Sequence, residues 1–115
     1  MFFVGCSDLQ KALKSDDVSL KNDLAQELYE QGKFRKAAQL YAQLKEKYRG
    51  KPQAERIVFF YANSLLNTKN YILAAYEFET FVKAYPKSQK ADEAYFLMAF
   101  SHYKTSPNFS LDQAD

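Results

Sequence analysis

The feature that most constrains this chain is an internal repeat. Ala37 returns as Ala74, Tyr48 as Tyr85, Ala54 as Ala91 and Phe59 as Phe96, each 37 residues later. In the same register Phe34 returns as Tyr71, Tyr41 as Phe78 and Leu44 as Phe81, and Ala25 comes back twice, as Ala62 and Ala99. Small residues recur as small and aromatic residues as aromatic, which is what one packing constraint, reused in each unit, imposes. A unit of this length cannot bury its apolar face alone and must stack on its neighbours.

Each unit reads as two helices. In LKNDLAQELYEQ, Leu20, Leu24 and Leu28 recur at helical spacing, with Ser19 placed to cap the start. Gly32 breaks that helix. FRKAAQLYAQLKEKY then sets Phe34, Ala37, Ala38, Tyr41, Leu44 and Tyr48 on one face, and RGKP ends it. The second unit runs QAERIVFFYANSLLNTK, a turn at Asn70, and YILAAYEFETFVKAY, stopped by Pro86. The third opens with Ser88 as cap and ADEAYFLMAFSHYK, then passes into TSPNFSLDQAD. No segment alternates as a strand does. The expected fold is all-α: five helices in antiparallel pairs, with the partner of the fifth missing. That gives two full repeats, about 18–51 and 55–88, and a partial third at 92–115.

Composition excludes several classes of function. At 115 residues and 47% apolar content the chain can bury a real core. Its net charge of +2, from 16 basic and 14 acidic residues, is spread without a basic run, so no nucleic-acid partner is expected. No apolar run approaches the roughly 20 residues of a spanning helix. One cysteine makes no internal disulfide and no structural zinc site. His102, the single histidine, stands at the repeat position of Leu28 and Leu65 and reads as a partly buried packing residue. Asp16, Asp17, Glu27, Glu30, Glu77, Glu79, Asp92 and Glu93 lie beside Lys or Arg and read as solvated faces or helix N-terminal charges. Lys45 likewise reads as an exposed side chain on the outer face, whose loss costs nearly nothing. No phosphate-cradling glycine loop is present. The chain is not expected to be an enzyme, and no catalytic residue, cofactor or metal is expected.

The chain opens FFVGCS, with Cys6 behind the small Gly5. Two readings stand on these residues alone: the end of a signal peptide cut before a cysteine that becomes lipidated, or an incidental free cysteine in a frayed terminus. The four residues before Gly5 are too few for the apolar core of a signal of about 7–15 residues.

The repeat resembles the tetratricopeptide repeat (TPR), whose pattern continues A-x3-F and then P. The second unit supplies Val58, Tyr61, Ala62 and Leu65, then Ala74, Phe78 and Pro86. The first supplies Leu24, Ala25, Leu28, Ala37 and Tyr41 but has Arg49 where the proline would fall; the third supplies Tyr95, Met98, Ala99 and His102. More narrowly, residues 6–115 are similar to the BamD family, the lipoproteins of the outer-membrane β-barrel assembly machinery. Ala74, Phe78, Phe81, Tyr85, Pro86, Ser88, Glu93, Ala94 and the shifted Tyr95 carry that likeness, with Asp112 and Gln113 in the loop that follows.

The resemblance implies residues 1–5 as the end of a lipoprotein signal peptide, Cys6 as the lipidation site, 6–17 as a tether over the headgroups, and 18–115 as the TPR domain. The family has about five repeats, so it also implies an N-terminal portion of a longer protein. In such a stack the first helix of each hairpin lines the concave face. That puts Gln26, Tyr29 and Glu30, then Arg56, Phe59, Asn63 and Leu66, then Phe96, Phe100 and Tyr103, in a peptide-binding groove. Phe59 and Phe96 also read as packing between hairpins. The implied function is a lipid-anchored periplasmic scaffold at the outer membrane. Its implied partners are unfolded outer-membrane protein precursors and a BamA-like barrel subunit with its periplasmic domains. The alternatives are a periplasmic TPR adaptor for cell division or envelope coordination, and a cytosolic cochaperone clamping a C-terminal carboxylate, for which only Arg56 and Asn63 qualify.

Overall fold

The computed structural model describes residues 6–106. They form α1 (Cys6–Lys14), α2 (Val18–Glu30), α3 (Phe34–Lys47), α4 (Ala54–Asn67), α5 (Tyr71–Ala84) and α6 (Ala91–Thr105). No strand occurs among the described residues. Each helix from α2 to α6 packs on the next, so α2/α3 and α4/α5 are hairpins and α6 opens a third unit. The all-α stack expected from the repeat is the fold. Residues 1–5, the side chain of Cys6, and Asp112 and Gln113 lie outside the described residues.

The stack closes where side chains are smallest. Ala25, Ala37, Ala62, Ala74 and Ala94 are fully buried, and Leu28, Leu40, Tyr41, Leu44, Phe78 and Phe81 fill the space around them. Alanine lets two helix backbones approach; aromatic rings on either side restore interior packing density. Ala99, the third member of the Ala25 series, is exposed. His102 is exposed too, and is not the partly buried residue expected, because no described element covers that side of α6.

The two hairpin turns are built alike. Lys33 N donates to Leu28 O at 2.8 Å and Gly32 N to Tyr29 O at 3.0 Å; one repeat later Asn70 N donates to Leu65 O and Lys69 N to Leu66 O, both at 3.0 Å. This paired closure needs a left-handed residue just past the helix. Gly32 meets the need at φ +79°, whereas Lys69 meets it at φ +65° with a full side chain. The caps differ from expectation. Asp17, not Ser19, caps α2, its carboxylate accepting from Leu20 N at 3.1 Å. Ser88 accepts from Lys90 N at 3.1 Å and shapes the turn, while α6 itself starts at Ala91.

The segment expected as a tether contains a docked helix. Leu9 and Ala12 of α1 are buried against α2 and α3. Lys21 of α2 is buried with them, and its ammonium donates to Leu13 O at 3.2 Å and to Gln43 Oε1 of α3. One cation thus satisfies a carbonyl at the C-terminal end of α1, where the helix dipole is negative, and joins three helices.

Glu77 also departs from expectation. It is buried, not solvated, and one of its oxygens accepts from Lys45 Nζ at 2.9 Å, while the other has no partner among the described residues. Lys45 is therefore not an indifferent outer lysine: it ties α3 to α5 and lies over the Tyr61 ring at 5.2 Å. Removing it strands a buried carboxylate, which costs about 1–3 kcal/mol. Lys45→Ala is expected to lower stability to urea by that amount, and Lys45→Met/Glu77→Leu to recover most of it. Unchanged stability of the single variant would contradict the pairing.

Candidate functional site

A band of polar and aromatic side chains links the first helices of the two hairpins. Arg56 of α4 donates to Gln26 Oε1 of α2 at 3.1 Å, and two helical turns further along α4, one along α2, Asn63 Nδ2 donates to the Tyr29 hydroxyl at 2.6 Å. Between these rungs lies Phe60. Its ring meets Tyr29 edge-on at 4.8 Å, stacks with Tyr41 at 6.1 Å and lies under the Arg56 guanidinium at 5.1 Å. Lys90, at the start of α6, brings a second cation to 5.9 Å from the same ring. Arg56, Phe60 and Lys90 line a cleft of about 480 Å³ together with Pro52, Glu55, Ser88 and Gln89. Neither cation has an ion-pair partner among the described residues.

The expected groove residues divide into three sets. Gln26, Tyr29, Arg56 and Asn63 are brought together by the contacts above. Phe59 turns mainly into the core: it is 3% exposed, with Phe78 at 6.0 Å and Phe81 at 5.5 Å, both on α5, and it meets the band through Lys90, whose ammonium lies 4.8 Å from its ring. The aromatic between the two hydrogen-bonded rungs is its neighbour Phe60, one residue and roughly 100° further around the helix. The half-exposed position of Phe60, beside a hydrophobic turn of Ile57, Val58 and Phe59, left no period-based mark in the sequence.

The third set is on α6. Phe96, one repeat after Phe59, is 69% exposed on the side of α6 that carries Tyr95, Ala99 and His102, so it too is off the groove. Its counterparts Val58, Phe59, Ala62 and Leu65 are buried in the second unit. Phe100 follows Asn63 by one repeat and packs edge-on against Tyr71 at 6.3 Å, and Tyr103 follows Leu66 and is exposed. Glu30 and the partly buried Leu66 flank the band on α2 and α4.

Burial tunes the phenols. Desolvation pushes Tyr41 up to about 12, against the smaller opposing pull of Arg56. Tyr29 is raised by burial although its bond from Asn63 works the other way, and Tyr61 is raised by burial and then by Glu77. These groups hold protons in the neutral range and serve as neutral hydrogen-bonding and stacking surfaces. Among the described residues no three of His, Cys, Asp and Glu gather as a metal site, and no helix is long and apolar enough to cross a membrane.

Stacked helix hairpins with an aromatic, amide-bearing inner face define a helical-repeat scaffold of the TPR type. The chain belongs to the YfiO family of outer membrane lipoproteins, the BamD-like family, whose model matches residues 20–115. A comparison with curated proteins gives no match.

The raised phenols give a pH prediction. A Tyr41 proton held more tightly in the folded chain than in the unfolded one, where the value is near 10, stabilises the fold fully below about pH 10. That contribution disappears as pH rises from about 10 to about 12. Urea unfolding across this range is expected to lose stability more steeply for the parent than for Tyr41→Phe. Superimposable alkaline profiles would contradict the burial of this hydroxyl.

Proposed function

We propose that this protein is a lipid-anchored scaffold on the periplasmic side of the outer membrane, working in β-barrel assembly. Membership of an outer membrane lipoprotein family supports the membrane association. Cys6 is the proposed acylation site, with residues 1–5 as the end of the signal. Two or three acyl chains would hold the protein to a bilayer almost permanently, at about 0.8 kcal/mol for each buried methylene.

The proposed ligands are extended segments of unfolded outer-membrane protein precursors, and the proposed docking partner is a BamA-like barrel subunit. The observation that carries the ligand reading is the Arg56–Phe60–Tyr29–Asn63 band. It offers rings for an aromatic side chain, amides for backbone groups, and two cations that form no ion pair among the described residues for a carboxylate. The last strand of a barrel, ending in a carboxylate and bearing aromatics, combines these features. Binding without chemistry is the function such a surface serves, and no catalytic role is proposed. The same cations leave a carboxylate-clamping cochaperone as the second reading, which the family match disfavours.

Truncating an aromatic anchor in a peptide groove typically costs about 2 kcal/mol, roughly thirtyfold in affinity. Binding of a labelled peptide from a barrel protein's final strand is expected to weaken by about that factor in Phe60→Ala and Arg56→Ala. The exposed outer-face variant Tyr76→Ala should bind like the parent. Circular dichroism first establishes that each variant is folded. Equal affinities across the three would remove the band from consideration.

A further inference from the structure

The molecule is electrostatically lopsided along its helix axes. The α2–α3 and α4–α5 turns come together at one end and form a cleft of about 530 Å³ lined by Gly32, Lys33, Phe34, Arg35, Lys36, Asn67, Thr68 and Lys69. The C-terminal turn of α6 reaches the same end, since Phe100 meets Tyr71 at the start of α5, and it adds Lys104. Residues 31–36, 67–72 and 102–106 contain these cations and no carboxylate. Glu30, the residue before the first of these segments, accepts from Gln26 Nε2 at 3.3 Å. The opposite end is mixed, with Asp16, Asp17, Glu55, Asp92 and Glu93 among Arg49, Lys51, Lys87 and Lys90.

Three further observations converge on the basic end. Ile72, in the first turn of α5, is 76% exposed beside Lys69, an apolar side chain set out from a cationic rim. Lys69 occupies the left-handed position that glycine fills in the first unit. For a residue with a Cβ that conformation is strained, so the turn carries this cation at the expense of stability. Finally, α1 runs antiparallel to α2: Leu13 O is held by Lys21, near the start of α2, whereas Asp8 shares a small cleft with Leu24 and Glu27. The helix that begins at Cys6 therefore starts toward the basic end.

We propose that this end is a membrane-facing surface: the cations engage the headgroups of an anionic phospholipid bilayer and Ile72 enters the interface. Basic residues near such a surface each contribute measurably to binding, and an adjacent apolar side chain adds to it. The inference goes beyond the scaffold reading and does not need the acyl chain, which would act as a second, independent membrane signal.

The test uses the full chain as Cys6→Ser, so that no lipid is attached, and vesicles of phosphatidylcholine with or without phosphatidylglycerol. Sedimentation is expected to show binding to the anionic vesicles only, weakened by salt. Charge reversal at the basic end, Arg35→Glu/Lys69→Glu, should reduce partition by about tenfold or more. Reversal at the far end, Lys51→Glu/Lys87→Glu, should change it by less than about twofold. Lys69→Gly, which relieves the left-handed lysine, should keep or raise the thermal midpoint while weakening partition. Equal losses for the two reversals, or no preference for anionic vesicles, would overturn the proposal. Failure here would leave peptide binding by the groove unaffected, so the two readings fail separately.

Discussion

The structure depends on close approach between helices at buried alanines. Ala25 and Ala62 in the first helices, and Ala37 and Ala74 in the second, are fully buried. Where these side chains end at Cβ, room is left for larger neighbours, and Phe59, Phe78, Phe81 and Tyr41 are buried in the same core cluster. A methyl group at each crossing thus sets the spacing of the stack. With α3 between them in the stack, α2 and α4 come near enough for Arg56 to reach Gln26 and Asn63 to reach Tyr29. The inner face is a by-product of the packing, and its chemistry is read off the residues that the packing leaves half-exposed.

Two buried charges stand apart from this apolar logic. Lys21 and Glu77 are each almost fully enclosed, and each joins helices distant in sequence. A buried charge is weak evidence for stability, since an apolar pair often packs as well. Both have a positional effect instead. Lys21 fixes α1 on the first hairpin, and the Lys45–Glu77 pair fixes α3 on α5 across the outer face. An N-terminal helix held in this way is docked on the first hairpin and does not swing freely.

The repeat, the helices and their antiparallel pairing were legible because period and residue size report the same constraint twice over. The site was legible only in part. Gln26, Tyr29, Arg56 and Asn63 follow from repeat position, but Phe59 and Phe60 are adjacent aromatics, and a period cannot say which of two neighbours the next hairpin covers. Phe96 inherits the register of Phe59 one unit later and is exposed there. Helix α1 carries its apolar stripe in Leu9, Ala12 and Leu13, a real signal. At nine residues, however, it is shorter than an isolated helix can sustain, and it holds through the burial of Leu9 and Ala12 and the bond from Lys21. The Lys45–Glu77 pair joins positions 32 residues apart and has no local mark at all.

The central claim is that the inner face formed by α2 and α4 is the ligand-bearing surface. The most direct measurement places a photoreactive phenylalanine analogue at position 60, and separately at position 76 on the outer face, in the full-length protein in its own membranes. After irradiation during active outer-membrane protein synthesis, the adducts are identified by mass spectrometry. The account predicts unfolded barrel precursors crosslinked from position 60 and not from position 76. Precursor adducts from position 76 alone, or equally from both, would contradict it.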